Sequence, residues 1–241
     1  MHNNPRSTSN DARTERILSR GVWALPIFAL LLGLGTLTHQ PDYNTDFAGY
    51  AGYVTTGVFL VSHLVASIGG AVFGVIGIVS AAFLLIQYGA RPGRTLLAAA
   101  LGVAGNVVNT AIFGVAAFAQ PAIGRAFEAG DESVVALNTD VYGPALVGTV
   151  LTGLVMFMAG GVMLGMAMSR VDRDLRWIGV VYAVSLPVFV VAGFSIQILQ
   201  PVAAAVLTVA TVFLALRLRR GSEGATVPEP GSAIAGQERP V

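Results

Sequence analysis

The chain contains no cysteine and no lysine, and only 11% of its 241 residues are charged. The first absence excludes disulfides, thiolate metal sites, iron–sulfur clusters and thiol catalysis together. The second excludes Schiff-base chemistry, and with it a retinal pigment or a lysine-dependent cofactor enzyme. All 14 basic residues are arginine, which with abundant Ala, Gly and Val points to a GC-rich bacterial genome. Soluble domains carry charge at about a quarter of their positions, so the shortage of charge is itself a statement about solvent. A hydrophobic content of 54% and a mean hydropathy of +0.72 say the same.

What is present is long apolar runs. Stretches of ~20 apolar residues are long enough to cross a ~30 Å hydrocarbon core, and six of them can be placed at residues 22–38, 56–88, 95–119, 142–168, 177–194 and 202–218. Their lengths and the missing period-two alternation favour helices over barrel strands. Pro26, Pro187 and the Gly69-Gly70 pair fall inside them, which spanning helices tolerate because neighbours re-satisfy the freed backbone groups. The first run follows Arg13, Arg16 and Arg20 but ends in Thr36-Leu-Thr-His-Gln40, without a small-x-small cleavage pattern, and is read as an uncleaved first span.

Arginine placement gives an orientation, because cytoplasmic loops accumulate basic residues. Four arginines precede span one, two lie between spans two and three, three between four and five, and four follow span six. The alternate connections hold only Arg125, against Asp42, Asp46, Glu128, Asp131, Glu132 and Asp140. Both termini are therefore expected in the cytoplasm. The same distribution argues against a hairpin at Gly69-Gly70, which would put Arg91 and Arg94 outside. The excess length of the second run calls for a lead-in, and Asp46 as N-cap before Phe47, Tyr50 and Val54 suggests an amphipathic one.

The expected fold is thus an all-α, polytopic transmembrane bundle of six spanning helices over residues 18–220, both ends inside, in a bacterial cytoplasmic membrane. Residues 1–17 and 221–241 are polar or rich in Gly, Pro, Ser and Glu and are expected to be disordered tails. The connection over 120–140 is expected to seat a short interfacial helix through Ile123, Phe127, Val134, Val135 and Leu137.

Few groups are left for chemistry. His63 sits 24 residues before Gln87, about 36 Å along a helix, which places it at the outer edge of the bilayer. Asn106 and Asn109 lie about 18 and 22 Å beyond Arg94, three residues apart on one face. An amide in hydrocarbon needs partners or water. From these positions an outward-opening, uncharged polar pocket is expected from His39, His63, Ser67, Asn106, Asn109, Thr149 and Gln197, suited to a small molecule or a lipid headgroup. The competing reading is that such groups are ordinary interhelical glue.

Other constellations are weaker. His39, Asp42, Asp46 and His63 carry zinc-compatible ligand types and would make a metal-dependent enzyme at the outer surface, but their spacing matches no established motif. Haem between His39 and His63 would lie half in water, with no second pair to complete a transmembrane electron path. Met156, Met158, Met163, Met166 and Met168 form no single stripe and read as gap-filling thioethers. Ser67 and His63 share a face but lack a third orienting group. No acidic residue falls within any span, which disfavours proton-coupled transport. No catalytic residues, cofactor or nucleic-acid partner are therefore expected. The bilayer is the expected partner, with anionic lipids at Arg217, Arg219 and Arg220, and the Gly70–Gly74 and Gly161–Gly165 faces allow close helix approach either within one chain or between the copies of a homo-oligomer. A non-catalytic scaffold for partner proteins is the alternative function.

Overall fold

A computed structural model describes residues 5–37 and 40–224. His39 and residues 225–241 lie outside the described residues, as does the side chain of Arg220. The described residues are helical, with α1 (Pro5–Gly21), α2 (Ala24–Gly35), α3 (Phe47–Val54), α4 (Gly57–Val61), a π-helical segment (Ser62–Gly69), α5 (Gly70–Gln87), α6 (Pro92–Glu128), α7 (Val134–Val141), α8 (Pro144–Met168), α9 (Arg173–Ala192) and α10 (Leu199–Gly224). Among them are six helical stretches long and apolar enough to cross a membrane. The fold is an all-α bundle, and the six helices fit a multi-pass integral membrane protein.

The chain passes through Gly69-Gly70 without a turn, so Gly57–Gln87 is one span of 31 residues. The lead-in also forms: Asp46 caps α3 by accepting from the Gly49 amide at 2.8 Å. Other boundaries move. Helix α1 occupies the stretch expected to be a disordered tail, because it packs on α5 and α10 and the Tyr88 hydroxyl donates to its Glu15 at 3.2 Å. Helix α10 likewise runs on to Gly224. Helix α6 does not stop near residue 119 but continues to Glu128, so Ile123 and Phe127 belong to it, and the short helix in this region is α7 alone. Pro121 does not end α6.

Helix α2 packs on α5 and α10, α6 on α5 and α8, and α9 on α8 and α10, so the spans close into a ring. Glycines set the tightest contacts. A Cβ on Gly160 would lie 2.6 Å from Gly102 Cα, and one on Gly105 would lie 2.6 Å from the Gly153 carbonyl oxygen. Backbones of α6 and α8 therefore touch, as small-residue faces allow. Both GxxxG pairs make contacts within the chain: Gly161 and Gly165 face Leu186 and Ala183 of α9, while Gly70 and Gly74 face Leu31 and Phe28 of α2.

The two ends of the ring differ. At the arginine-rich end, Asp172 caps α9 by accepting from Leu175 N at 2.7 Å. It also pairs with Arg217 at 3.1 Å, and Asp174 pairs with the same guanidinium at 3.3 Å. Arg217 is one of the three arginines expected to meet anionic lipids, and two carboxylates already flank it. At the acidic end α6, with 37 residues, is about 55 Å long, well beyond a ~30 Å core. Its far portion carries a cap: Gly124 lies against Ala51 and Val54 of α3, and α7 packs on the same helix. Helices α3 and α7 meet through the Tyr50 hydroxyl, which donates to Asn138 Oδ1 at 3.1 Å between two side chains with no solvent exposure. Burial pushes the Tyr50 phenol well above its ordinary pKa, so that donor proton is retained.

Candidate functional site

In the half of the ring toward the acidic end the helices separate around a cavity of about 350 Å³. Its floor is a pair of rings, Phe28 of α2 and Phe157 of α8, edge to face with centroids 6.0 Å apart. Beneath them the bundle is tight, and around Gly102, Gly160, Leu164 and Tyr182 no space for a water molecule remains. The walls are apolar, from Leu31, Leu32, Ile112, Phe113, Val150 and Val190 among others. The upper lining comes from helix ends: Thr36 after α2, Phe194 after α9, and Gln200 at the start of α10. From Phe28 to Thr36 the helix rises about 12 Å, which is the depth of the cavity along α2. It is closed toward the arginine-rich end and reaches toward the acidic one.

Three of the polar residues expected to share a pocket line this cavity: Ser67, Asn106 and Asn109. Asn106 is 6% exposed and its amide donates to the Ala71 carbonyl at 2.7 Å. That bond uses the nitrogen and leaves its oxygen as the free acceptor. Asn109, one turn on, is 8% exposed. Its oxygen lies near Gly153, where a Cβ would come within 2.6 Å of it, and it is buried without a hydrogen-bond partner. Buried amides are ordinarily satisfied, and one left open costs about 1–3 kcal/mol.

Ser67 owes its place to local geometry. It belongs to the π-helical segment, where its hydroxyl reaches back to the Ser62 carbonyl at 3.4 Å, five residues earlier. A π turn is a rare interruption of an α-helix and is frequent at functional sites. Here it sits where the second span leaves the tight part of the bundle and passes the cavity. Nothing in the residue pattern of 62–69 announces it, since two Ser, a His and a Gly are equally at home in an α-helical span.

The remaining expected residues are placed elsewhere. His63 is half-buried beside the cavity rather than in its lining. Its Nδ1 lies 2.9 Å from the Phe59 carbonyl, and its ring stacks on Phe59 at 4.1 Å. Phe113, 6.5 Å away, stands between it and the cavity. Thr149 is exposed on the outside of the ring, with its hydroxyl returned to the Ala145 carbonyl at 2.9 Å. Gln197 is exposed in the turn before α10. Gln200 takes the place given to it, its amide donating to the Phe189 carbonyl at 3.3 Å. The missed signal was helical phase: residue 200 lies inside α10 and 197 before it. His39 lies outside the described residues. Asp42 and Asp46 serve as local caps, for Asn44 and Gly49, and among the described residues no three metal-ligating side chains come together.

The arrangement has one electrostatic property that decides its chemistry. Among the described residues, none that lines the cavity is ionisable. Its hydrogen-bonding capacity is carried by two amides at depth, a hydroxyl from the π segment, and a hydroxyl and an amide near the top. No nucleophile–base pair is present in the lining. What such a chamber can do is hold a molecule. No family model matches the sequence, and neither a curated protein nor a solved structure matches it.

Proposed function

We propose that this integral membrane protein is a binding or transport module that takes a small molecule into the cavity from the acidic end, and that this end faces the outside of a bacterial cytoplasmic membrane. The orientation rests on the arginine distribution. One observation carries the binding reading: a chamber of about 350 Å³ within the spanning region is lined by two asparagines, each more than nine-tenths buried, one of them with an unpartnered oxygen. Glue residues between helices find their partners in the neighbouring helix. Asn106 does so with one atom, whereas Asn109 finds none among the described residues. A volume of this order falls in the range of small-molecule sites, which combine apolar walls with a few placed polar groups.

The absence of cysteine makes a clean test available. Single cysteines at positions 67 and 109 are treated in intact cells with a membrane-impermeant maleimide, beside Val155→Cys, which faces out of the bundle at 60% exposure. The expected outcome is modification of S67C and N109C and none of V155C. If positions 67 and 109 are as inert as 155, the chamber is not reached from outside and the reading falls.

A further inference from the structure

We infer that the ligand of this cavity is an electrically neutral, largely apolar molecule whose single hydrogen-bonding end, a hydroxyl or a primary amide, is seated at depth against Asn106 and Asn109. This rests on the reading that the cavity is a binding site, and adds to it the chemistry of what binds.

Three observations lead there. First, the donors higher in the chamber, on Ser67, Thr36 and Gln200, are already given to backbone carbonyls, and the two asparagines lie lower. Asn106 is tied to Ala71 and borders Phe28 through Gly74, so it stands at the level of the floor. Asn109 is one turn above, and between it and the helix ends the walls are mostly Leu, Ile, Val and Phe, with the Ser67 hydroxyl among them. A molecule that fills this space must place its polar group first and its hydrocarbon behind it. Second, the free atoms match a neutral group that both donates and accepts. Asn106 offers an acceptor, because its nitrogen is committed to Ala71, while Asn109 Oδ1 is packed toward Gly153 and leaves the amide nitrogen as the polar atom that Asn109 can present to the lining. A hydroxyl or primary amide can donate to the first and accept from the second. Third, a charged end is disfavoured by what is missing. Asn106 lies about 18 Å above Arg94 along α6, near the bilayer centre, where an ion without a counter-charge costs at least ~2.5–3.5 kcal/mol. Among the described residues the lining holds neither a cation for a phosphate or carboxylate nor a carboxylate for an ammonium. The phosphate of a phospholipid headgroup, one of the two ligand kinds considered from sequence, has nothing here to bind.

The test uses four probes of one chain length on purified full-length protein in neutral-lipid nanodiscs: octan-1-ol, octanamide, octanoate and octylammonium. Occupancy is read as protection of a cysteine replacing Thr36, at the upper lining, from a small permeant maleimide. Octanol and octanamide are expected to slow modification of T36C, while octanoate and octylammonium leave it unchanged. In the N109L background the concentrations of the neutral probes giving half protection should rise about tenfold, as loss of a hydrogen bond in a buried site implies. N109A serves in the same role if N109L does not fold, as judged by its melting transition.

Equal protection by octanoate or octylammonium overturns neutrality and leaves the binding reading intact. Undiminished protection in both Asn109 variants overturns the seat assigned to the polar end. If no probe protects T36C while S67C and N109C are modified in cells, the chamber is open but holds water or another class of molecule, and the inference fails alone. If those cysteines are inert, the binding reading fails and takes the inference with it.

Discussion

On the proposed binding reading, a single amide makes the difference between a bundle and a receptor. Asn109 lies in an apolar helix, and its open oxygen is a standing penalty that evolution removes easily, since Leu or Ala would be satisfied in the same place. Gly153 across from it is the matching half. Any side chain there would meet the Asn109 oxygen at 2.6 Å and Val108 at 2.8 Å, so the glycine keeps room for an amide. Gly153→Ala is therefore expected to turn Asn109 out of position. Protection of T36C by octanol should weaken in G153A to the level of N109A. The displaced atoms are ends of side chains that can give, so the stability cost should be at the low end of the ~1–3 kcal/mol range for overpacking. A G153A protein that protects T36C as well as wild type would show that the asparagine's orientation does not matter. At this scale the sequence was partly legible. Two asparagines three apart in a span announce a polar face by themselves, and both line the chamber. Thr149 and Gln197 misled because a hydroxyl can be satisfied by its own helix, as Thr149 is by Ala145, and because a residue in a turn follows no helical phase.

At the scale of helices, the cavity is closed below where the backbones of α6 and α8 touch beneath Phe157. Contact is fixed by backbone against backbone at Gly102 and Gly160, where an added Cβ would also meet the Ala98 carbonyl at 2.9 Å. No rotamer change relieves such a clash. Gly160→Ala should destabilise the protein by about 1–3 kcal/mol or more, a larger loss than in G153A. Gly148→Ala, twelve residues nearer the acidic end of the same helix with nothing within 4 Å of its Cβ, should gain up to ~0.5–1 kcal/mol from helix propensity. Thermal unfolding in one detergent orders the three: G148A above wild type, then G153A, then G160A. An inverted order would mean that the α6–α8 seam is not what holds the floor shut. Helix number and type were legible because length and hydropathy decide them. Helix ends were not: α1 exists through its packing on α5 and α10, α6 outruns its apolar stretch because α3 and α7 cover its far portion, and the π turn leaves no compositional trace.

For the molecule as a whole, everything said about the direction of the chamber depends on which end faces the cell interior, and hydropathy cannot supply that. The asymmetry of charge can. Arg20, Arg91, Arg94, Arg170, Arg173, Arg176 and Arg217 collect at the end where the floor is sealed, while the cap at the other end carries six carboxylates and Arg125. A guanidinium is hard to translocate, whereas acidic residues contribute little to orientation. The ion pairs of Arg217 with Asp172 and Asp174 form between side chains already on one side and do not oppose the rule. A fluorescent protein that matures only in the cytoplasm, fused after Val241, should therefore fluoresce. A phosphatase active only outside the cell membrane should be active when inserted in the turn at 129–133, between α6 and α7, and silent when inserted at 89–91, between α5 and α6. Six crossings require the first and last results together, and the insertion at 129–133 tests the cap independently of both. Phosphatase activity at 89–91 would reverse the bundle. The same chamber would then reach toward the cytoplasm, and its ligand would be a molecule taken from inside, because the floor of Phe28 and Phe157 closes the opposite end among the described residues.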